Sequence, residues 1–342
     1  MRNLLDYTVD ELTDIYIQEY GQKKYRAVQT YKWLYKDKVD DVHKMTDLPF
    51  EFREKIAKDF RIGGLTEQEM KLANDGTRKF LFSLEDGSVI ETVLMKYEFG
   101  NSVCVSTQVG CRMKCDFCAS SKLSFERNLT SGEIVDQILY ISRKIGENIS
   151  NIVFMGIGEP FDNYDNVMKA IRILNDPHGL GIGARHITVS TSGLVPQILK
   201  FADENIQCNL SISLHATTDK IRDKIMPVNK AYNIENLMKA CKKYLEKTNR
   251  RITFEYALMY GVNDSMRDAC QLVDLVRGMN CHINLISVNA IEGGNYRRVP
   301  VSSTMAFRDA LNNRGITATI RRELGNDINA SCGQLRRGFY NE

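Results

Sequence analysis

From about residue 101 onward the sequence alternates short runs rich in β-branched and aromatic residues with longer amphipathic runs, and no other property of the chain narrows its fold so much. The strand-like runs are NSVCVST, NIVFMG, HITVSTS, CNLSISLH, ITFEYALMY, HINLISV and ITATIRR. Between them lie TSGEIVDQILYISRKIG, NYDNVMKAIRILN, VPQILKFADEN, NIENLMKACKKYLEKT, SMRDACQLVDLVRGM and STMAFRDALNNRG, whose apolar positions recur at helical spacing. Such an order implies an α/β fold of parallel strands joined by crossover helices. A full barrel, a partial barrel and an open doubly wound sheet all satisfy it. The barrel is preferred because the chemically loaded residues fall at the C-terminal ends of successive strands, which a barrel delivers to one mouth.

Ahead of this lies a different pattern. Up to about residue 60 the chain reads as helical: Thr8 with Glu11 forms a capping-box signature, KYRAVQTYKWLY gives a second amphipathic run, and Leu48-Pro49 opens a third at FEFREKIAKDF. Residues 1–75 are therefore expected to form a small helical domain. RKFLFSL and SVIETVLMKY then flank Glu85-Asp86-Gly87, a hairpin signature, so residues 76–100 read as a β-hairpin linker into the α/β domain at residues 101–342.

Of the 342 residues 43% are hydrophobic and 26% charged, which excludes a disordered or fibrous chain. No apolar run is long enough to span a bilayer, and the N-terminus MRNLLDYTVDELTD turns acidic where a signal peptide would stay apolar. The expected location is the cytoplasm, with no membrane association. In that reducing compartment nine cysteines do not form a disulfide framework, and metal binding becomes the leading reading. A net charge of +3 is only mildly basic. The clusters Lys23, Lys24, Arg26 and Lys242, Lys243, Lys247, Arg250, Arg251 permit RNA, although solvated helix faces account for each cluster alone.

The strongest local signal is Cys111-Arg-Met-Lys-Cys115-Asp-Phe-Cys118, directly after the strand NSVCVST. A zinc site would want a fourth protein ligand, and no His or Cys follows at a familiar finger spacing. A thioredoxin-like reading of Cys115-x-x-Cys118 is disfavoured by the third cysteine. Iron–sulfur clusters usually take four thiolates, so three leave one iron open to a ligand.

This motif, with Phe117 at its aromatic position, resembles that of the radical S-adenosylmethionine (SAM) superfamily. The resemblance implies a partial (β/α) barrel of the radical SAM type, a [4Fe-4S] cluster on Cys111, Cys115 and Cys118, and SAM chelating the open iron to yield a 5′-deoxyadenosyl radical. Gly156-Ile157-Gly158-Glu159-Pro160, Ser190-Thr191-Ser192-Gly193, Ser213-Leu214-His215 and Asn289 each end a predicted strand. Singly these are weak signals, since a glycine-rich strand end is usually a turn and a lone histidine usually structural. Together they resemble the SAM pocket of the RlmN/Cfr family of RNA adenine methyltransferases, which implies cofactor binding by Gly158, Glu159, Ser190, Ser213, Leu214, His215 and Asn289.

The resemblance runs from the helical region to Cys332, in GNDINASCGQL. It implies three catalytic roles. Cys332 receives a methyl group from one SAM and passes it, after hydrogen abstraction by a second, to an adenine ring carbon. Glu91 removes the ring proton. Cys104, seven residues before Cys111, then attacks the Cys332 sulfur to release the product as a disulfide forms. Adenine C2 is electrophilic and cannot attack an ordinary methyl cation equivalent, so radical chemistry resolves the polarity mismatch. Gly158-Glu159-Pro160 and Ser190-Thr191-Ser192-Gly193 resemble the RlmN branch, which methylates C2, more than the Cfr branch, which methylates C8. The implied partners are 23S rRNA at the peptidyl-transferase centre, tRNA beside the anticodon, and an electron donor such as flavodoxin or ferredoxin; a monomer is expected. The helical region and basic surfaces are expected to contribute phosphate contacts. A non-catalytic iron–sulfur RNA-binding protein is the contrasting class, and it leaves Glu91, Cys104 and Cys332 without a purpose.

Overall fold

The computed structural model of the chain describes residues 1–289 and 295–335. Three helices open it, α1 (Val9–Tyr20), α2 (Tyr25–Tyr35) and α3 (Phe50–Asp59). Ten strands then form one sheet: β1 (Thr66–Leu72), β2 (Arg78–Ser83), β3 (Val89–Tyr97), β4 (Gly100–Cys104), β5 (Ile149–Phe154), β6 (Ile187–Thr191), β7 (Asn209–Ser213), β8 (Ile252–Leu258), β9 (Cys281–Ser287) and β10 (Ala318–Ile320). In space they follow chain order. From β4 to β10 they run parallel, while β1, β2 and β3 extend the sheet antiparallel from β4. The helices α4 (Ser131–Ile145), α5 (Tyr164–Asn175), α6 (Val195–Asp203), α7 (Asp219–Ile225), α8 (Ile234–Thr248), α9 (Met266–Val276) and α10 (Val301–Asn312) return the chain between parallel strands.

Of the three arrangements the alternation allows, this is the partial barrel that the resemblance implies. Each parallel strand and six of the crossover helices fall on the runs read from sequence. Helix α4 shows why: a capping box at Thr130 and Glu133 starts it, Gly146 ends it in the left-handed conformation, and Ile134, Val135, Ile138, Leu139 and Ile141 are buried along one face.

Three features depart from the reading. β1 lies inside the stretch expected to be helical, because TEQEMKL is almost wholly exposed and carries no alternation; pairing with β2 makes it a strand. The three antiparallel strands also belong to the main sheet, so the expected hairpin linker is part of the α/β domain's own sheet. Helix α7 was not anticipated, since DKIRDKI reads as a charged surface run.

The linear strand order leaves β10 unpaired with β1. Across that gap the turn after β1 grips the C-terminal segment: Asp75 accepts from the Gly325 amide at 2.8 Å, and the Asn74 amide donates to Asp327 at 2.9 Å.

The N-terminal helices share one apolar core with the barrel, in which Leu12, Tyr16, Leu34 and Ile56 join Val135, Ile138 and Leu139. Polar locks reinforce the join. Asp6 accepts from the Gly132 amide at 2.7 Å, at the start of α4, and buried Asp136 accepts from the amides of Gly64 and Leu65 at 2.9 and 3.1 Å. Asp136→Ala orphans both amides and is expected to lower stability by about 2 kcal/mol, read as a fall in the thermal midpoint. An unchanged midpoint would show that the lock contributes nothing.

Candidate active site

The cysteine loop is built as a closed pocket rim. Gln108–Val109 pairs antiparallel with Arg127–Asn128, closing the base of the loop that carries Cys111, Cys115 and Cys118. Gly110 has φ 75°, and a Cβ there would lie 2.1 Å from the Ser124 carbonyl oxygen, so the loop tolerates only glycine at that point. The Asp116 amide donates to Ile225 O at 3.0 Å, and Phe117 meets the His215 ring edge-on at 4.9 Å.

All three thiols line one cleft of 940 Å3, mouth included, together with Gly158, Glu159, Ser190, Ser213, His215, Asn289 and Cys332. Burial pushes the Cys111 thiol up to about 12, and burial followed by mutual repulsion also raises Cys115. Metal binding would favour the thiolate form against that cost. Among the described residues no three His, Cys, Asp or Glu side chains converge on a single metal ion. Three thiols along one cleft suit an iron–sulfur cluster, in which each thiolate would bind a different iron. The cleft's few polar groups stand among Met113, Phe117, Met155, Met226 and Val288, a lining suited to a cofactor with a charged head and an aromatic base.

Strand ends deliver those polar groups. Glu159 is 3% exposed; its two oxygens accept from the amides of Phe161 at 3.0 Å and Ser192 at 2.7 Å, which ties the end of β5 to the end of β6. Burial raises its pKa, opposed by those bonds. Gly158, at φ 108°, would place a Cβ 2.7 Å from the Gln108 side chain. His215 takes φ 54°, and its Nδ1 accepts from the Ala257 amide at 2.9 Å. Burial, then the charge of Arg222, drops its pKa to about 3, so the imidazole is neutral. Leu214 does not line the cleft: its side chain is fully buried in the apolar core, and its carbonyl accepts from Arg222.

Cys332 stands where two cavities meet. It lines the cleft and also a narrower side cavity that holds Cys104, Val93, Met95 and Tyr97. The segment around it is pinned to the cysteine loop, with the Ala119 amide donating to Gly333 O at 2.7 Å and the Ser120 hydroxyl to Leu335 O at 2.7 Å. Asn289 donates to the Cys332 carbonyl at 3.2 Å. Cys104, at the end of β4, is 7% exposed, and burial, then the charge of Cys332, pushes its thiol up to about 12. Glu91 projects from the same face of β3 as Val93 and is 2% exposed.

Three further residues were not read from sequence. Arg222, in the unanticipated α7, is fully buried and joins the ends of β6 and β7 through Ser192 O at 2.7 Å and Ser213 O at 3.0 Å. Arg321 lines both cavities, and the charges of Cys332 and then of Glu255 hold its guanidinium above the usual range against desolvation. Lys79 lies 3.2 Å from Glu91.

A cysteine loop of this kind at the mouth of a partial (β/α) barrel defines a radical SAM protein, and residues 105–273 match the radical SAM superfamily. Residues 2–62 match the ribosomal RNA large subunit methyltransferase N-terminal domain. The chain is 52% identical, over the full length of both, to a protein of Thermoanaerobacter sp. (strain X514) named "Probable dual-specificity RNA methyltransferase RlmN". A Staphylococcus saprophyticus protein of the same name is 53% identical across 96% of this chain and 90% of its own. The crystal structure of a radical SAM methyltransferase from Sphaerobacter thermophilus superposes with a TM-score of 0.94 at 44% identity, covering 98% of this chain and 100% of that one. The chain therefore belongs to the RlmN family of radical SAM RNA methyltransferases.

Proposed function

We propose that this enzyme methylates C2 of adenine in 23S rRNA at the peptidyl-transferase centre and in tRNA next to the anticodon. The observation that carries the reading is the placement of Cys332 between two cavities, one lined by Cys111, Cys115 and Cys118 and the other by Cys104. When bound, a [4Fe-4S] cluster with SAM supplies a methyl group and a hydrogen-abstracting radical. The cluster would be held by the three loop cysteines, and the cofactor by Gly158, Glu159, Ser190, Ser213, His215 and Asn289, which line the cleft while Leu214 does not. Cys332 faces the cofactor on one side to take up the methyl group and the substrate on the other to deliver it. Glu91 accepts the C2 proton, and the Cys104 thiolate attacks the Cys332 sulfur to free the methylated base.

Family membership and the Gly158-Glu159-Pro160 strand end favour C2 over C8. Electrons come from a flavodoxin or ferredoxin, and the protein works as a cytoplasmic monomer; no helix among the described residues is long and apolar enough to cross a membrane. Anaerobic reaction of reconstituted enzyme with rRNA and tRNA, followed by nucleoside mass spectrometry, is expected to show 2-methyladenosine in both. Finding 8-methyladenosine instead, or no methylated adenosine, would reject the reading.

A further inference from the structure

A closed (β/α) barrel fills its interior with layers of branched apolar side chains, and this partial barrel does not. Below the cofactor cleft the inward positions of β6 to β9 are polar. Thr188 pairs with Asn209, Ser211 with Thr253, and Glu255 with Asn284, each on neighbouring strands. The residues between them, Val189, Leu210, Ile212, Phe254 and Leu285, point the other way and join the apolar core under the helices. All six polar residues line a third cavity, of 1180 Å3 with its mouth included. It opens at the N-terminal ends of the strands, where Asn209 begins β7, and so at the opposite end of the barrel from the cysteine loop. Its floor is Met155, Glu255 and Arg321, which it shares with the cofactor cleft.

Charge is graded along this lumen. At its outer rim stand Arg250 and Arg251, in the connection between α8 and β8. Asn209 Oδ1 accepts from the Arg250 guanidinium at 3.0 Å, and the Asn209 side-chain amide donates in turn to the Arg185 carbonyl at 2.7 Å. An amide oxygen orients a guanidinium without cancelling its charge, so the rim stays cationic. The only carboxyl group among the described lining residues, Glu255, lies at the floor. It is 4% exposed, accepts from Asn284 at 2.7 Å and lies in the field of Arg321. The rim therefore attracts an anion, while the walls and floor offer hydroxyl, amide and carboxyl groups to uncharged polar atoms.

We propose that this lumen binds a small molecule carrying a terminal phosphate on a hydroxylated body, with the phosphate at Arg250 and Arg251 and the body directed inward to Asn284 and Glu255. Two guanidinium groups suit a phosphate because each presents several donors to its oxygens at once. A phosphodiester inside RNA continues in both directions, whereas a lumen with a floor admits only the end of a molecule. The site stands apart from the methyl-transfer chemistry, since no residue of the proposed cluster, cofactor or catalytic sets lines it.

The test is calorimetric titration of the full-chain holoenzyme with ribose 5-phosphate, ribose and inorganic phosphate, with SAM present and reductant left out so that the cleft is filled. Ribose 5-phosphate should bind saturably, and ribose and inorganic phosphate at least about tenfold more weakly. Arg250→Gln with Arg251→Gln should weaken ribose 5-phosphate by about tenfold or more, and Arg251→Gln alone, at an exposed position, by a smaller factor. Cluster content and SAM cleavage without RNA should match wild type in both variants, which separates lost binding from misfolding. No saturable binding of ribose 5-phosphate up to about 10 mM, equal binding of ribose or of inorganic phosphate, or undiminished binding in the double variant would overturn the proposal. So would a double variant that loses RNA affinity while the wild type takes up no ribose 5-phosphate, which would make the rim an RNA contact.

Discussion

Replacing Cys111, Cys115 and Cys118 together with Ala is expected to abolish cluster loading, and replacing any one of them to abolish SAM cleavage and RNA methylation. The three cysteines are half-buried on a loop whose ends are closed by the Gln108–Val109 pairing and whose path depends on Gly110. Two remaining thiolates can retain a partial cluster but cannot hold the geometry that leaves one iron open. Cys270, exposed on α9 and outside both cavities, is the matched control, and Cys270→Ala should load and cleave as wild type does. Anaerobic absorption and electron paramagnetic resonance spectra, with and without SAM, check the outcome. Full cluster loading in the triple variant, or a wild-type spectrum that SAM leaves unchanged, would contradict the assignment.

The sequence exposed its local signals and concealed its non-local ones. Cys111, Cys115 and Cys118 were legible because thiol spacing within one loop is itself the chemistry, and the strands from NSVCVST to ITATIRR because buried parallel strands are dense in β-branched residues. Arg222 was not. In DKIRDKI it looks like one charge of a solvated face, yet it is fully buried and tied to carbonyls 9 and 30 residues away. Lys79 reads as one member of an Arg-Lys pair at a strand start; only register with β3 brings it to Glu91, and only the C-terminal segment brings it to Asn329. β1 was hidden for the opposite reason, as an exposed edge strand has no buried face to impose a period. Leu214 sits between two cleft-lining residues, but the strand end turns its side chain into the core.

The N-terminal helices carry a related lesson. Their amphipathic pattern was plain, but their apolar face packs on the barrel helices, with Asp136 and Asp6 locking the join. Removing residues 1–60 would uncover that face, so a role in RNA binding is better sought by replacing exposed lysines such as Lys23 and Lys24 and following the salt dependence of affinity.

The proposed division of labour between Cys332 and Cys104 makes the two single variants fail at different steps. Cys332→Ala should keep its cluster and cleave SAM, yet form neither methylated protein nor methylated RNA. Cys104→Ala should still take up the methyl group and couple it to adenine. With no neighbouring thiolate to attack the Cys332 sulfur, protein and RNA should stay joined, so turnover falls to zero while the intermediate accumulates. Were both residues mere packing, each substitution would cost about 1 to 3 kcal/mol of stability and leave no covalent trace. A denaturing gel of Cys104→Ala incubated anaerobically with SAM, reductant and labelled RNA decides between them. The label should migrate with the protein after denaturation, and should not do so for Cys332→Ala or for Cys104→Ala with Cys332→Ala. A folded, cluster-loaded Cys104→Ala enzyme that releases methylated RNA at the wild-type rate with no label on the protein would contradict the mechanism.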